Sequence, residues 1–260
     1  MLMVISPAKS LDFSPPPEGL ASTEPRFGQD TAALARTARN LTRADLKRMM
    51  SISDALAKLN QERFRSFDLD PAAGTVQAAL AFDGDVYQGL DARNLGPADL
   101  DWAQDHLRIL SGLYGLLRPL DRIQPYRLEM GVRVKSRRGE SLYDYWGDRI
   151  ARQLRADAEG HADPTLVNLA SQEYFGAVDR KALRLPVVEV RFLEEKDGEA
   201  RVLSFFAKKA RGMMARWAIE HRVERAEALK AFDAGGYRFA RAASSEVEWT
   251  FSRPQPPPPR

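Results

Sequence analysis

Residues 107–131 read LRILSGLYGLLRPLDRIQPYRLEMG, an apolar run followed by two closely spaced glycines and then by several arginines. Gly96 and Pro97 begin a helix that the sequence predicts to end at Gly112. The turn from Gly112 to Gly115 has two interpretations. It presents backbone N–H groups to a DNA phosphate, as in a helix-hairpin-helix element, or it caps the helix and lets it pack closely. Arg118, just after the turn, suits the first interpretation, and the sequence alone leaves both open.

The arginine-rich half of this stretch continues to residue 138, and we call residues 118–138 the basic segment. It holds seven basic and two acidic residues, a net charge of +5, whereas the whole chain carries only +3. Such segregated charge is either balanced by acidic side chains nearby in space or directed at an anionic partner. The basic residues are Arg118, Arg122, Arg127, Arg133, Lys135, Arg137 and Arg138.

A second basic cluster begins at Lys208. Residues 208–225 contain six basic and two acidic residues, a net charge of +4. A helix is predicted from about Ala207 to His221, which places the first three cations in its first turn, where the helix dipole disfavours them. An anion bound at the free N–H groups of that turn would offset the cost. We therefore expect an anion-binding site that uses Lys208, Lys209, Arg211 and Arg216.

Two strand ends carry further candidate residues. The pattern Ser6-x-x-Lys9 follows a predicted strand at 2–5 and matches acyl-enzyme formers, but the partner motifs of that chemistry are missing. Lys9 is instead a candidate phosphate contact, since α/β proteins bind ligands at the carboxyl ends of strands. Asn168, Ser171 and Glu173 lie where a strand at 165–169 leads into a helix. They either cap that helix or form a ligand pocket with Glu173 as a base.

Composition excludes several classes of protein. The chain of 260 residues has no cysteine, so disulfides, thiol peroxidase chemistry, cysteine-ligated zinc and iron–sulfur clusters are excluded. Its three histidines are widely spaced, and we expect neither a metal site nor a cofactor. The apolar run from Leu2 to Ile5 is too short for a signal peptide and no stretch could span a membrane, so a cytoplasmic protein without a membrane partner is expected.

The remaining pattern indicates a mixed α/β protein. Helices are expected within 24–50, as two helices with Thr42 capping the second, at 53–64, and from Ser141 to about Gly160. Strands are expected at 186–194 and 199–206, joined by a hairpin at 196–198, and at 237–241 and 246–253. There is no regular βαβ rhythm, repeat or linker. We therefore expect a single domain over residues 1–253 and a disordered proline-rich tail over 254–260.

Four long ungapped motifs carry a family resemblance: ISPAK at 5–9, FDGDVYQGL at 82–90, NLASQEYF at 168–175 and SFFAKKARG at 204–212. Together with 107–131 they closely resemble the YaaA family of bacterial peroxide-stress proteins, over almost the whole chain. The resemblance implies a single compact domain of unusual, cantaloupe-like topology, with a basic cleft and a helix-hairpin-helix element. It also implies a role in the response to hydrogen peroxide, protecting DNA from oxidative damage and limiting intracellular free iron.

We therefore expect a monomeric, non-catalytic protein that binds the phosphate backbone of double-stranded DNA without strong sequence preference. The expected nucleic-acid contacts are Lys9, Gly112, Gly115, Arg118, Arg127, Lys208, Lys209, Arg211 and Arg216. The alternative is an enzyme that acts on a nucleotide or nucleic acid, with a pocket formed by Ser6, Lys9, Asn168, Ser171 and Glu173. A third possibility is an interaction scaffold whose arginines pair with internal acids.

Overall fold

A computed structural model describes residues 1–68 and 74–256. Its strands are β1 (Leu2–Ile5), β2 (Ser10–Leu11), β3 (Val76–Gln77), β4 (Phe82–Asp83), β5 (Leu107–Ser111), β6 (Gly115–Leu117), β7 (Arg122–Ile123), β8 (Leu166–Leu169), β9 (Val187–Lys196), β10 (Glu199–Arg201), β11 (Arg238–Phe239) and β12 (Glu248–Pro254).

The helices are α1 (Gly28–Arg39), α2 (Arg43–Met50), α3 (Asp54–Ser66), α4 (Ala78–Ala81), α5 (Asp85–Leu90), α6 (Pro97–His106), α7 (Leu142–Trp146), α8 (Arg149–Asp157), α9 (Gln172–Phe175), α10 (Arg180–Leu183) and α11 (Ser204–Glu220). Short 3-10 turns occur at Ala92–Asn94, Ala226–Ala231, Ala234–Gly236 and Arg241–Ala243. Within the described ranges, no helix has both the length and the hydrophobicity needed to cross a bilayer.

The architecture centres on an eight-stranded sheet with the order β11-β12-β9-β8-β1-β5-β6, and β10 pairs with β9. The five strands from β12 to β5 run parallel, while the strands at the margins are antiparallel. Every residue of β1 and β8 is buried. Near-continuous apolar strands are typical of a parallel sheet that is covered on both faces. The mixed α/β prediction is confirmed, and the parallel sheet brings the carboxyl ends of β1 and β8 together.

Residues 107–111 differ from the prediction. The helix that begins at Pro97 ends at His106, and Leu107–Ser111 forms a fully buried strand that pairs parallel with β1. A short apolar run such as LRILS cannot be distinguished from a buried helix by periodicity. Because β5 and β6 pair antiparallel, Gly112–Gly115 joins two strands. The prediction of a helix-hairpin-helix element at this position is therefore wrong.

The two glycines of this turn are required by packing. Gly115 has a φ of +71°, and a Cβ there would lie 2.6 Å from the ring of Trp146. A Cβ on Gly112 would lie 2.2 Å from the carbonyl oxygen of Leu128, and the Gly112 carbonyl accepts a hydrogen bond from Trp146 Nε1. Both glycines are buried, so their backbone is not presented to a DNA phosphate.

Most of the predicted local signals are confirmed. Thr42 and Ser141 form capping boxes, and Ser53 and Ser171 cap α3 and α9. The hairpin at 196–198 joins β9 to β10, and β8, β11 and β12 lie where strands were expected.

Other predicted boundaries shift. The helix expected from Ser141 breaks into α7 and α8 around Gly147, and β10 ends early because α11 begins at Ser204. Pro254 belongs to β12, and the Gln255 N–H donates to the Glu195 carbonyl, so these two residues are not a disordered tail. Residues 257–260 of the predicted tail lie outside the described residues.

Candidate functional site

A cleft of about 460 Å³ opens where β1 and β8 end. It is lined by residues 6–10, by residues 83–87, by Glu129, by Ser171, Glu173 and Tyr174, and by Lys208 and Arg211 of α11. The carboxyl edge of a parallel sheet is where α/β proteins place ligands. The structure thus brings together six of the predicted residues, namely Ser6, Lys9, Ser171, Glu173, Lys208 and Arg211.

Ser6 and Ser171 tie the end of β1 to the start of α9. The Ser171 N–H donates to Ser6 Oγ over 2.8 Å, and the Ser6 hydroxyl donates to Ser171 Oγ over 3.3 Å. Ser171 Oγ also accepts a hydrogen bond from the Tyr174 N–H. Both hydroxyls are therefore engaged within the protein, and the capping interpretation of Ser171 is confirmed.

Glu173 spans the gap between α9 and the loop after Leu128. Its Oε1 accepts the Gly131 N–H over 2.9 Å, and a Cβ on Gly131 would lie only 3.2 Å from that oxygen. One carboxylate oxygen is thus fixed by the backbone, and the side chain is otherwise exposed at the cleft.

Glu129 forms ion pairs with Arg127 and Lys9 at one wall of the cleft. Its Oε1 accepts hydrogen bonds from Arg127 at 2.9 and 3.1 Å and lies 3.5 Å from Lys9 Nζ. Glu129 itself is buried, and its Oε2 has no hydrogen-bond partner among the described residues. Arg127 is neutralised and largely buried here, whereas Lys9 has a side chain that is 68% exposed.

The opposite wall depends on two glycines. A Cβ on Gly212 would lie 1.8 Å from the Val86 carbonyl oxygen, and a Cβ on Gly89 would lie 2.1 Å from the Lys209 carbonyl oxygen. Because these two glycines have no Cβ atom, α5 and α11 come into backbone contact. This contact explains the glycine near the end of each of the two motifs FDGDVYQGL and SFFAKKARG. The close crossing places Lys208 Nζ 3.8 Å from Asp85 Oδ2.

Arg211 lies in this wall and forms no ion pair with an acid in the described part of the chain. Its Nε is buried and has no hydrogen-bond partner among the described residues. Burial lowers the pKa of the guanidinium, and Glu189 partly opposes this effect. The group nevertheless stays charged, since arginine does not deprotonate in proteins. A half-buried charge without a partner is destabilising, and a bound anion would relieve it.

The floor of the cleft contains two buried tyrosines. Tyr87 donates its hydroxyl to the Ser6 carbonyl over 3.1 Å. Burial raises the pKa of Tyr87 and of Tyr174, so both remain neutral phenols at physiological pH. No sequence signal pointed to Tyr87 itself as a residue of a ligand site, although the motif FDGDVYQGL that contains it lines the cleft.

The cleft is mixed in charge. Lys9, Lys208 and Arg211 line it together with four carboxylates, those of Asp83, Asp85, Glu129 and Glu173. The family resemblance implies a basic cleft, and the mixed lining of this one does not confirm that expectation. Among residues 1–68 and 74–256, no three His, Asp or Glu side chains are grouped so that they could hold a metal ion.

The position predicted for the second basic cluster needs correction. Since α11 begins at Ser204, Lys208, Lys209 and Arg211 lie beyond its first turn, away from the free backbone N–H groups. No side chain caps this helix, and the residue before it is Leu203, so the sequence offered no local start signal. Lys209 is exposed and does not line the cleft.

Most of the basic segment is neutralised within the protein. Five of its seven basic residues form ion pairs with acids, namely Arg118–Asp121, Arg122–Glu24, Arg127–Glu129, Lys135–Glu140 and Arg138–Asp30. Arg133 and Arg137 are exposed and have no acidic partner in the described part of the chain. Arg216 is likewise tied to Asp91 and Glu220. The interpretation of a face balanced by internal acids is correct for these paired residues.

Asn168 belongs to a second cleft of about 790 Å³. Its Nδ2 donates to Glu189 Oε2 over 2.5 Å, and its Oδ1 accepts the Ala170 N–H. Because successive side chains of a strand point to opposite faces, a position at a strand end does not specify which cleft is reached. Arg211 lines both clefts and stands between them.

Comparison with known proteins identifies the family. The family model described as peroxide stress protein YaaA matches residues 1–243. A UPF0246 protein of Phenylobacterium zucineum is 63% identical over the entire chain and is itself covered to 97%. UPF0246 proteins of Caulobacter vibrioides and Maricaulis maris are 63% and 56% identical over 98% of this chain, with 100% and 97% of their own lengths covered. The chain therefore belongs to the YaaA family of peroxide-stress proteins.

Proposed function

We propose that this protein binds the phosphate backbone of double-stranded DNA in the cytoplasm as part of the response to hydrogen peroxide. The observation that carries the proposal is Arg211, a half-buried guanidinium whose Nε has no partner among the described residues. A phosphate supplies the charge and the hydrogen-bond acceptors that this group lacks.

Two lysines complete the proposed phosphate site. Lys208 and Arg211 are three residues apart on α11 and therefore share a helix face. Lys208 and Lys9 lie 3.8 and 3.5 Å from their nearest carboxylates, and both side chains are more than half exposed. These separations are longer than a good hydrogen bond, so each ammonium is available to an incoming phosphate.

The other predicted contacts take different parts in the proposal. Arg118, Arg127 and Arg216 stabilise the fold through their ion pairs. Arg133 and Arg137 are exposed and form no ion pair with any described residue, so they are available to phosphates outside the cleft. Because phosphate contacts carry no base information, binding is expected to be tolerant of sequence.

The physiological part of the proposal follows from the family. Because the protein has no cysteine, it cannot reduce peroxide at a thiol, and protection by occupying the DNA is the route that this proposal assigns to it. Limitation of intracellular free iron and the cantaloupe-like topology remain parts of the proposal that the family resemblance alone supports.

A salt titration tests DNA binding directly. The affinity for a labelled duplex, measured by fluorescence anisotropy, should fall by about 0.9 log units per log unit of salt for each neutralised phosphate. The double variant Lys208→Ala/Arg211→Met should reduce that slope by about two contacts and weaken binding at every salt concentration. Lys209→Ala is the matched control, since Lys209 is on the same helix outside the cleft. A flat salt response in the unmodified protein would reject the proposal.

An enzyme acting on a nucleotide is the second candidate. It is favoured by the carboxylate of Glu173, which faces the cleft with one oxygen fixed by the Gly131 N–H. A fixed carboxylate within reach of a ligand can act as a general base. Glu173→Gln should then stop turnover and leave affinity for the ligand nearly unchanged. Full cellular protection against peroxide by this variant would favour the binding protein over the enzyme.

A further inference from the structure

We infer that the cleft accommodates a single nucleotide unit, with its phosphate on Lys208 and Arg211 and its hydroxyl or amino groups on the carboxylates of the opposite wall. The inference rests on the phosphate-binding role proposed above and specifies what enters the cleft. The unit is either a free mononucleotide or one unpaired nucleotide of a DNA strand, since both present the same chemistry.

The cleft has the size of a small-molecule site. Small-molecule sites are typically clefts of about 300–1,000 Å³. The cleft between β1, α9 and α11 has a volume of about 460 Å³, which is suited to one nucleotide. A duplex is too large for a cleft of this volume, whereas one nucleotide is of a suitable size.

Charge of both signs lines the cleft. The α11 wall supplies Lys208 and Arg211, with Asp85 beside Lys208, whereas the wall formed by residues 129–131 and α9 supplies Glu129 and Glu173, with Lys9 beside Glu129. A duplex backbone offers mainly phosphate and sugar oxygens, which these carboxylates repel. A nucleotide also carries hydroxyl and amino donors. It therefore complements both walls at once, and carboxylates are the natural acceptors for such donors.

The cleft also contains apolar surface. Pro7, Val86 and the two buried tyrosines contribute to the lining. The Tyr87 hydroxyl is held by the Ser6 carbonyl, which fixes the position of its ring. An apolar body with a few convergent polar groups is the usual composition of a site for a small organic ligand. Inorganic phosphate alone would leave this surface unused.

The test compares a nucleotide with its fragments. Binding of deoxyadenosine 5′-monophosphate, deoxyadenosine and inorganic phosphate to the full chain is measured by calorimetry. The mononucleotide should bind at least about tenfold more tightly than either fragment, because it uses both walls and the surface between them. Lys208→Ala should lower the affinity for the mononucleotide by about tenfold, because it removes one charged hydrogen bond. Lys209→Ala should leave it unchanged.

Glu129→Gln distinguishes a ligand contact from a structural role. The substitution should weaken binding of the mononucleotide, because it removes a hydrogen-bond acceptor for the hydroxyl or amino groups of the ligand. It should strengthen binding of inorganic phosphate, because it also removes a negative charge that repels phosphate. If the substitution weakened both ligands equally, Glu129 would serve the fold alone. The inference would be overturned if the mononucleotide failed to bind, or if phosphate bound as tightly as the mononucleotide.

Binding measurements with DNA ligands separate this inference from the proposed function and identify the source of the nucleotide. Duplex binding without any binding or competition by the mononucleotide rejects the inference and retains the proposed function. Mononucleotide binding without duplex binding rejects the proposed function and retains the inference. A duplex with one unpaired adenosine that binds more tightly than the fully paired duplex, with the difference abolished by Lys208→Ala, assigns the nucleotide to a DNA strand. Equal affinities together with mononucleotide binding assign it to the free pool.

Discussion

The basic segment and the second basic cluster, residues 208–225, look alike in sequence and differ in structure. In the basic segment, Arg118 is paired with the fully buried Asp121, and four further cations have acidic partners. On α11, Arg211 is desolvated, and it has no ion-pair partner within residues 1–68 and 74–256. Net charge along the chain therefore does not identify the binding surface, because it counts neutralised and unneutralised cations equally. The informative property is a cation that the fold buries without pairing.

The largest expected change in stability comes from a substitution in the basic segment. Asp121→Ala would leave Arg118 without its carboxylate and would also remove the acceptor of the Thr23 hydroxyl. Breaking a buried pair from one side lowers the free energy of unfolding by about 3–5 kcal/mol. Urea denaturation measures the change. Glu140→Ala is the control, because its partner Lys135 is highly exposed and such a pair contributes less than about 1 kcal/mol.

Two arginine substitutions, one in each region, should then differ in their effect on the free energy of unfolding. Arg118→Met should destabilise the protein by several kcal/mol, since it leaves the carboxylate of Asp121 buried and unpaired. Arg211→Met should leave the free energy of unfolding unchanged or raise it by about 1 kcal/mol, since it removes an unpaired charge and keeps the apolar stem. The same variant should bind DNA at least about tenfold more weakly. Equal destabilisation by both substitutions would remove the distinction between the two regions.

The stability of the protein at low pH should also depend on ion pairs within the fold. Desolvation opposes ionisation of Asp157, but Arg108 holds the pKa of this carboxyl below its ordinary value of 3.8. A lowered folded-state pKa contributes stability that is fully present above 3.8 and is lost as the pH falls through the folded-state value. Asp157→Asn should therefore lower stability at pH 7 and flatten its decline below about pH 4. Chemical denaturation across this range tests it, with the exposed Glu62→Gln as control.

The parts of the structure that the sequence predicted are those set by local chemistry. Thr42, Ser141 and Ser171 cap helices through hydrogen bonds to residues three positions away, which a sequence displays directly. Ser6, Lys9 and Ser171 were placed at strand ends and do meet in one cleft.

Features that depend on remote residues could not be predicted in this way. β5 is a strand because it pairs with β1, about a hundred residues away in the chain. The partner of Arg138 is Asp30 and that of Arg122 is Glu24, so neutralisation of the basic segment was invisible locally. The close crossing at Gly89 and Gly212 likewise joins two distant motifs, and it is this crossing that sets Arg211 in the wall of the cleft.

The smallest expected effect concerns the two members of the basic segment without acidic partners. Arg133 and Arg137 are exposed, so replacing both with Ala should change the free energy of unfolding by less than about 0.5 kcal/mol. If they contact phosphates outside the cleft, the double variant should bind duplex DNA more weakly and lower the salt slope by up to about two contacts. Its affinity for a mononucleotide should not change, because neither residue lines the cleft. Anisotropy for the duplex and calorimetry for the mononucleotide measure the two effects separately. Loss of mononucleotide affinity in this variant would mean that the basic segment and the cleft are not independent, and the contrast between a neutralised region and an unneutralised site would no longer hold.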